Sequence, residues 1–296
     1  MPKRFDSNKC QDVKPWAIAA IEEEERCPSD QMWKKEPSAK YIYEERLRRI
    51  KFLRKYGNTH SDAIIVAERL ESCEPKHRCY SGACPECGRL FQRAFVHRSR
   101  KFIARHIALP WNWPVAVTIV PCDQIIRPRK LSSLDISNVQ RRLKYVLKKT
   151  RIRVALGGID FSLNEDREGK YRSFWRPHFY LITSTENKKK LRNKLRQIYL
   201  KSEEVPRPVK ISSFKNIARR RSYALKMHFK RRIGYHEIKN QNGKIRNCRN
   251  TSRDKLRAAE RLELYTYLNK IGLANRIIFW GGKPVVKSPR VKIEKC

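Results

Sequence analysis

Apolar positions recur with two different periods along this chain. In SAKYIYEERLRRIKFLRKYG (38–57), Ile42, Leu47, Ile50 and Leu53 fall near helical spacing, and Gly57 is a stop signal. SDAIIVAERLES (61–72) reads as a second helix with Ser61 as its N-cap. RLFQRAFVHRSRKFIARHI (89–107) is a third. Its Phe91, Phe95, Phe102 and Ile103 turn inward, and Arg93, Arg98, Arg100, Lys101 and Arg105 are expected mostly outside. From residue 113 strands and helices alternate. WPVAVTIVP (113–121) is a strand closed by Pro121. ISNVQRRLKYVLKK (136–149) is a helix with Ile136, Val139, Leu143, Val146 and Leu147 inward. RVALGGIDFSLNE (153–165) and FWRPHFYLIT (174–183) are strands joined by a polar turn, and KKKLRNKLRQIYL (188–200) is a helix. FKNIARRRSYALKMHFKRR (214–232) and KLRAAERLELYTYLNKIG (255–272) complete the set as helices.

This order predicts an α+β fold, with a mainly antiparallel central sheet and helices packed on it. Four regions follow: 1–72 helical, 73–108 a cysteine-rich knuckle and basic helix, 109–235 the sheet domain, and 236–296 a C-terminal helical extension without a readable motif, in which LELYTYLNKIGLANRIIFWGG (262–282) reads as a packed helix, a turn and a short strand. Residues 1–37, with the acidic knot IEEEER (21–26), show little periodicity and are expected to be partly ordered.

Composition adds a partner. The chain has 296 residues, 40% hydrophobic, with 69 Lys and Arg against 29 Asp and Glu, a net charge of +40. A core gains nothing from such charge, and self-repulsion opposes folding. A polyanion, nucleic acid first, explains it. No apolar run approaches the roughly 18–20 residues of a spanning helix. The opening MPKRFDSNKC has no apolar segment behind it, so neither membrane nor secretion is expected. Of nine cysteines, Cys10, Cys27, Cys122, Cys248 and Cys296 are scattered and four lie between 73 and 87. That pattern suits a reducing cytoplasm and one metal site.

In CEPKHRCYSGACPECGRL (73–90), Cys84 and Cys87 form a C-x2-C knuckle with Cys79 five residues upstream. Thiolates so spaced hold a tetrahedral, structural Zn²⁺, with Cys73 or His77 as the fourth ligand. Residues 188–232 hold 17 Lys or Arg and two acids, Glu203 and Glu204. Within them Arg219, Tyr223 and Lys226 share a face at helical spacing, placing cations beside a phenol. Such cations favour a phenolate and hold a phosphate. A solvated basic helix is the plain alternative. Asp160 interrupts the apolar GGIDFSL, and a carboxylate there needs a partner. If the two strands are neighbours, Asp160 and His178 meet on one face, a pair suited to Mg²⁺ or Mn²⁺. The alternatives are a strand-end salt bridge for Asp160 and a core hydrogen bond for His178.

Taken in order, these pieces resemble the rolling-circle replication initiators of plasmids and phages, members of the HUH endonuclease superfamily. The likeness runs through residues 73–230: CYSGACPEC and its basic helix, VAVTIVP (115–121), GGIDFSL with Asp160, WRPHFYLI (175–182), and Tyr223-Ala-Leu-Lys226. The resemblance implies a ferredoxin-like HUH core in the cytoplasm. It makes His178 and Asp160 ligands of a catalytic Mg²⁺ or Mn²⁺, Tyr223 the nucleophile and Lys226 its assistant. The reaction it implies nicks one strand of a single-stranded or hairpin DNA origin, leaving a 5′-phosphotyrosine, with host replication proteins as partners. Arg219, Arg220, Arg221, Lys230, Arg98 and Arg100 are the expected DNA contacts. One departure stands out: Tyr180 occupies the place of the second metal histidine. Asn164 or Glu165 completes the site, or the site is weakened, or catalysis is lost and a DNA-binding protein remains. Tyr235, beside Arg231, Arg232 and His236, rivals Tyr223 as nucleophile. A zinc-containing basic RNA-binding protein is the reading outside this family.

Overall fold

The computed structural model describes residues 14–26, 33–108, 112–241, 244–287 and 290–295. Cys10, Cys27 and Cys296, and the expected boundary at residue 109, lie outside them. Four helices come first: α1 (Pro15–Arg26), α2 (Ala39–Gly57), α3 (Ser61–Glu71) and α4 (Pro85–His106). Then follow β1 (Trp113–Ile119), α5 (Ile136–Lys149), β2 (Ala155–Asp166), β3 (Phe174–Thr185), α6 (Lys188–Ile198), β4 (Val209–Ser213) and the short α7 (Ala218–Ser222). The chain ends with β5 (Arg231–Gln241), β6 (Lys244–Asp254), α8 (Ala258–Ile271), β7 (Ile277–Trp280), β8 (Gly282–Lys287) and β9 (Arg290–Lys295). The fold is α+β, as the alternating pattern predicts.

The main sheet runs β4-β1-β3-β2-β5-β6, and β7 also pairs with β2. It is antiparallel except where β5 joins the end of β2, at Leu163–Asp166, in parallel. β2 is the hub. β3 pairs along one side of it, from Ala155 to Asn164. The other side is shared: β7 takes Ala155–Gly158 and β5 takes Leu163–Asp166. Between them, on that side, β2 has no strand neighbour among the described residues. Backbone groups buried there still need partners. The buried Arg276 supplies one, its Nε donating to Ile159 O at 3.2 Å and its Nη2 to Lys226 O at 2.8 Å.

Strand alternation gives the sheet two faces. The odd positions of β2 and β3 build the core. Phe161 meets Tyr267 of α8 edge to face, and the Trp175 indole N–H donates to Glu263 of α8. α5 has the inward set its pattern predicts, with Ile136, Val139, Leu143, Val146 and Leu147 all buried. Asp135 caps it, accepting from the Ser137 and Asn138 amides. The even positions carry Asp160, Ser162, His178 and Tyr180.

Four local expectations differ from the structure. Residues 15–26 form a full helix, α1, although the Glu22–Glu25 run sits at the end of a helix where negative charge is unfavourable. Distant arginines offset this: Arg98 pairs with Glu23, Arg93 with Glu24, and Arg78 with Glu25. Ser61 lies inside α3, whose N-cap is His60. The helix expected over 214–232 is broken. It is one turn of α7, a 3-10 turn over Tyr223–Leu225, and extended chain from Lys226 onward. The buried Arg221 stops it, anchored to Val96 O, Asn216 O and the Asn216 side chain. Finally, 236–296 is more than a helical extension. α8 and β7 match the helix and short strand expected over 262–282, but β6 and the β8–β9 hairpin add strands that were not expected, and β7 belongs to the main sheet.

Candidate metal centre and nucleic-acid site

The knuckle folds around four sulfurs. The Sγ atoms of Cys73, Cys79, Cys84 and Cys87 all lie within 4.8 Å of one another. Cys87 is 3.6 Å from Cys73 and 3.7 Å from Cys79, and Cys84 is 3.7 Å from Cys73. A tetrahedral ion with metal–sulfur bonds of about 2.3 Å needs sulfurs about 3.8 Å apart, so the donor set is compatible with a structural Zn²⁺. The fourth place goes to Cys73. His77 turns back in an isolated bridge to Glu74 and is exposed. Hydrogen bonds within the tetrad push the Cys73 thiol down and the Cys87 thiol up.

Arginines from the neighbouring helices set the loop. Arg46 donates to Cys73 O, Arg69 to Cys79 O and Arg49 to Ala83 O. Gly82 packs against the α8 backbone, where an added Cβ would lie 2.3 Å from Leu268 O. The knuckle launches α4, with Cys84 as N-cap and Pro85 in the first turn. α4 in turn pins the segment after α7. Gln92 Nε2 donates to Ser222 O and Leu225 O, and Gly88 leaves room for Met227.

That pinned segment crosses β2 at Gly158. A Cβ there would stand 1.9 Å from Ala224 O, so this approach requires glycine. The crossing sets Tyr223 and Lys226 over the even face of the sheet. Lys226 Nζ lies 3.0 Å from Asp160 Oδ2 and 4.0 Å from the Tyr223 ring centroid. Burial alone would lower the Lys226 pKa, but Asp160 and then Tyr223 outweigh it and hold it raised. Tyr223 itself is 42% exposed, its ring 4.8 Å from that of Tyr180. Tyr180 is buried, donates to Arg220 O, and burial pushes its phenol up to about 12. Tyr180 therefore makes a poor nucleophile and a poor ligand. Tyr235 alternates onto the face opposite Arg232, with Arg167 stacked on its ring at 4.8 Å. The structure thus brings Tyr223, not Tyr235, to Asp160 and His178.

Asp160 and His178 are direct cross-strand partners. Their donor atoms, however, are already used. Asp160 Oδ1 accepts from the Phe161 amide and Oδ2 from Lys226. His178 Nδ1 lies 3.3 Å from Arg232 Nη1, and Nε2 lies 2.7 Å from Ser162 Oγ. A guanidinium only donates, so Nδ1 must accept, and the ring proton sits on Nε2 facing Ser162. No ring lone pair is left for a metal. Burial, followed by Arg232, Lys226 and Arg176, holds the His178 pKa well below the usual range. The residues proposed to complete the site do not. Glu165 is taken by Arg231, Arg257 and Ser173, and the Asn164 amide turns to Ser162. Among the described residues, the cysteine tetrad is the one group of three or more His, Cys, Asp or Glu with metal-holding geometry. This donor set does not fit the Mg²⁺ or Mn²⁺ expected at Asp160 and His178.

The expected nucleic-acid contacts divide. Arg219, Arg220, Lys230 and Arg100 are exposed. Arg221 and Arg98 are structural instead: Arg221 is buried, and Arg98 bonds Glu23 and Val291 O. Sequence reading missed Lys210, which is exposed and, through Thr118, lies in register with Tyr180 on the same face. It also missed Arg232 and Ser162 around His178. Ser162 was within reach, two positions from Asp160 on the same strand. Arg232 was not, because its place depends on the parallel β2–β5 pairing.

Comparison with family profiles, characterised proteins and solved structures finds no match.

Proposed function

We propose that this protein binds single-stranded DNA and cuts and transfers one strand through Tyr223, as a rolling-circle-type replication initiator does. One observation carries the reading. An exposed tyrosine is held by a lysine over a paired Asp160 and His178 on neighbouring strands, at the edge of a basic face formed by Lys210, Arg219 and Arg220. Tyr223 would attack the phosphorus of the scissile phosphodiester, forming a 5′-phosphotyrosine and releasing the 3′-oxygen. The phenolic proton replaces the bond lost at that oxygen, carried by water. The tetrad would hold Zn²⁺ and keep α4, and through it the Tyr223 segment, in place. DNA at an origin, in a cytoplasm shared with host replication proteins, is the setting this reading implies.

A second reading is recognition of DNA without cutting. It is favoured by Tyr180 in the ligand position and by a histidine with no free nitrogen. Incubating the purified protein with a random-sequence single-stranded DNA library separates the two. The nicking reading predicts a covalent protein–DNA species resistant to denaturant and absent in Tyr223→Phe. Binding without any such species would leave the recognition reading.

A further inference from the structure

We propose that the polar floor beside Tyr223 is an oxyanion site for the phosphodiester itself, formed by Lys226 and Arg232 and operating without a divalent metal. This rests on the reading of Tyr223 as a phosphodiester nucleophile. The charge count comes first. Around His178 stand Lys226, Arg232 and Arg176, with Asp160 bound to Lys226; Glu204 and Asp123 are within electrostatic reach of Arg176, and Arg253 is the cross-strand partner of Arg232. On the Tyr223 side, Lys226, Arg232 and Arg253 against Asp160 favour an anion of one charge and repel a divalent cation.

The donors agree with the charge. Arg232 is half-buried, makes no salt bridge among the described residues, and uses Nη1 to reach His178. Among the described residues no other group takes its guanidinium N–H groups, which suits a planar, two-point grip on phosphate oxygens. Arg232 reaches His178, the cross-strand partner of Asp160, and Asp160 in turn holds Lys226 against the Tyr223 ring. Arg176 is 1% exposed; its Nη2 donates to Cys122 O at 3.5 Å, and its Nε has no hydrogen-bond partner among the described residues. Two residues from His178 on the same face, it adds fixed positive charge beneath the site. His178 then acts as a positioning residue: its Nδ1 lone pair orients Arg232, and Ser162 fixes the ring.

In this arrangement the charge that develops on the equatorial phosphate oxygens is met by Lys226 and Arg232, where a metal would otherwise meet it. The reactant diester and the phosphotyrosine diester both carry one negative charge. The bond from phosphorus to Tyr223 Oη forms as the bond to the 3′-oxygen breaks, and no further reagent is needed.

The test uses the full chain, with its zinc content checked, and three readouts: Mn²⁺ binding by electron paramagnetic resonance, affinity for a short single-stranded oligonucleotide in EDTA, and covalent adduct formation. The expected result is that no bound Mn²⁺ is lost on His178→Gln, and that Arg232→Ala weakens oligonucleotide binding in EDTA about tenfold. Arg232→Lys should restore part of that loss, and Mn²⁺ should add less than about twofold to adduct formation. One Mn²⁺ per chain that disappears in His178→Gln, or binding in EDTA indifferent to Arg232→Ala, overturns the proposal. If binding behaves as expected but no adduct forms under any condition, the oxyanion site stands and Tyr223 is not the nucleophile.

Discussion

The two parts of this molecule use the same residue type for opposite ends. Residues 1–108 contain 23 Lys and Arg against 15 Asp and Glu, and residues 109–296 contain 46 against 14. In the first part many of the arginines are structural, although Arg100 faces solvent. Arg93 is buried between Glu24 and Glu36, Arg78 between Glu25 and Glu86, and Arg46, Arg49 and Arg69 hold knuckle carbonyls. In the second part Glu165 pairs with Arg231 and Arg257, but the acids are too few to pair the rest. Lys210, Arg219, Arg220 and Lys230 face solvent, and Arg232 leans on a histidine. A basic residue points to nucleic acid only when the fold leaves it unpaired. The total of +40 is therefore a statement about the sheet part more than about the helices around the knuckle.

The hardest blow to this contrast is at the tetrad. Cys84→Ser should abolish zinc binding and unfold the knuckle and α4, because structural zinc sites contribute about 10–16 kcal/mol. Metal analysis and thermal melting check it. An unchanged melt would mean that the arginine network alone holds the first part. Next is Arg93→Met. It removes a buried guanidinium from between Glu24 and Glu36, of which Glu36 keeps Arg89, and should cost about 3–5 kcal/mol in urea unfolding, with little change in DNA affinity.

His178 sharpens the contrast through pH. Its folded pKa is depressed, so below about pH 6.5 the unfolded chain binds more protons than the native one. Its contribution is fully present above that pH and is lost as pH falls, by up to about 1.4 kcal/mol per unit. Urea unfolding at pH 7 and pH 5.5 should show a smaller drop in His178→Gln than in the parent. A larger or equal drop would mean the acid sensitivity lies elsewhere. The smallest effect on stability belongs to Arg220→Ala, within about 0.5 kcal/mol. It should still lower the salt dependence of single-strand binding, by about 0.7 in the log–log slope. A change in stability without a change in slope would place Arg220 with the paired arginines.

What could be read in the amino-acid order follows the same divide. α5 was legible because its apolar stripe and its Asp135 cap are local. The strands of Asp160 and His178 were legible as neighbours because a short polar turn joins them. α1 was not, since its stability depends on arginines about seventy residues away. The break after Tyr223 was not legible either: it is imposed by Arg221 on Val96 and by the approach to Gly158. Nor was the hold of Lys226 on Asp160 or of Arg232 on His178, which require contacts across the sheet. The tetrad was legible but for its fourth ligand, since spacing alone does not separate Cys73 from His77.

Tyr223 lies at the centre of the account, and one measurement addresses it directly. The protein is incubated with the single-stranded library, digested with nuclease and protease, and its nucleotide-bearing peptide is sequenced by mass spectrometry. The account predicts a nucleotide on Tyr223, in the peptide that contains Tyr223-Ala-Leu-Lys226. A nucleotide on Tyr235, or an unmodified Tyr223 in protein that has bound the DNA and cut it, would contradict it.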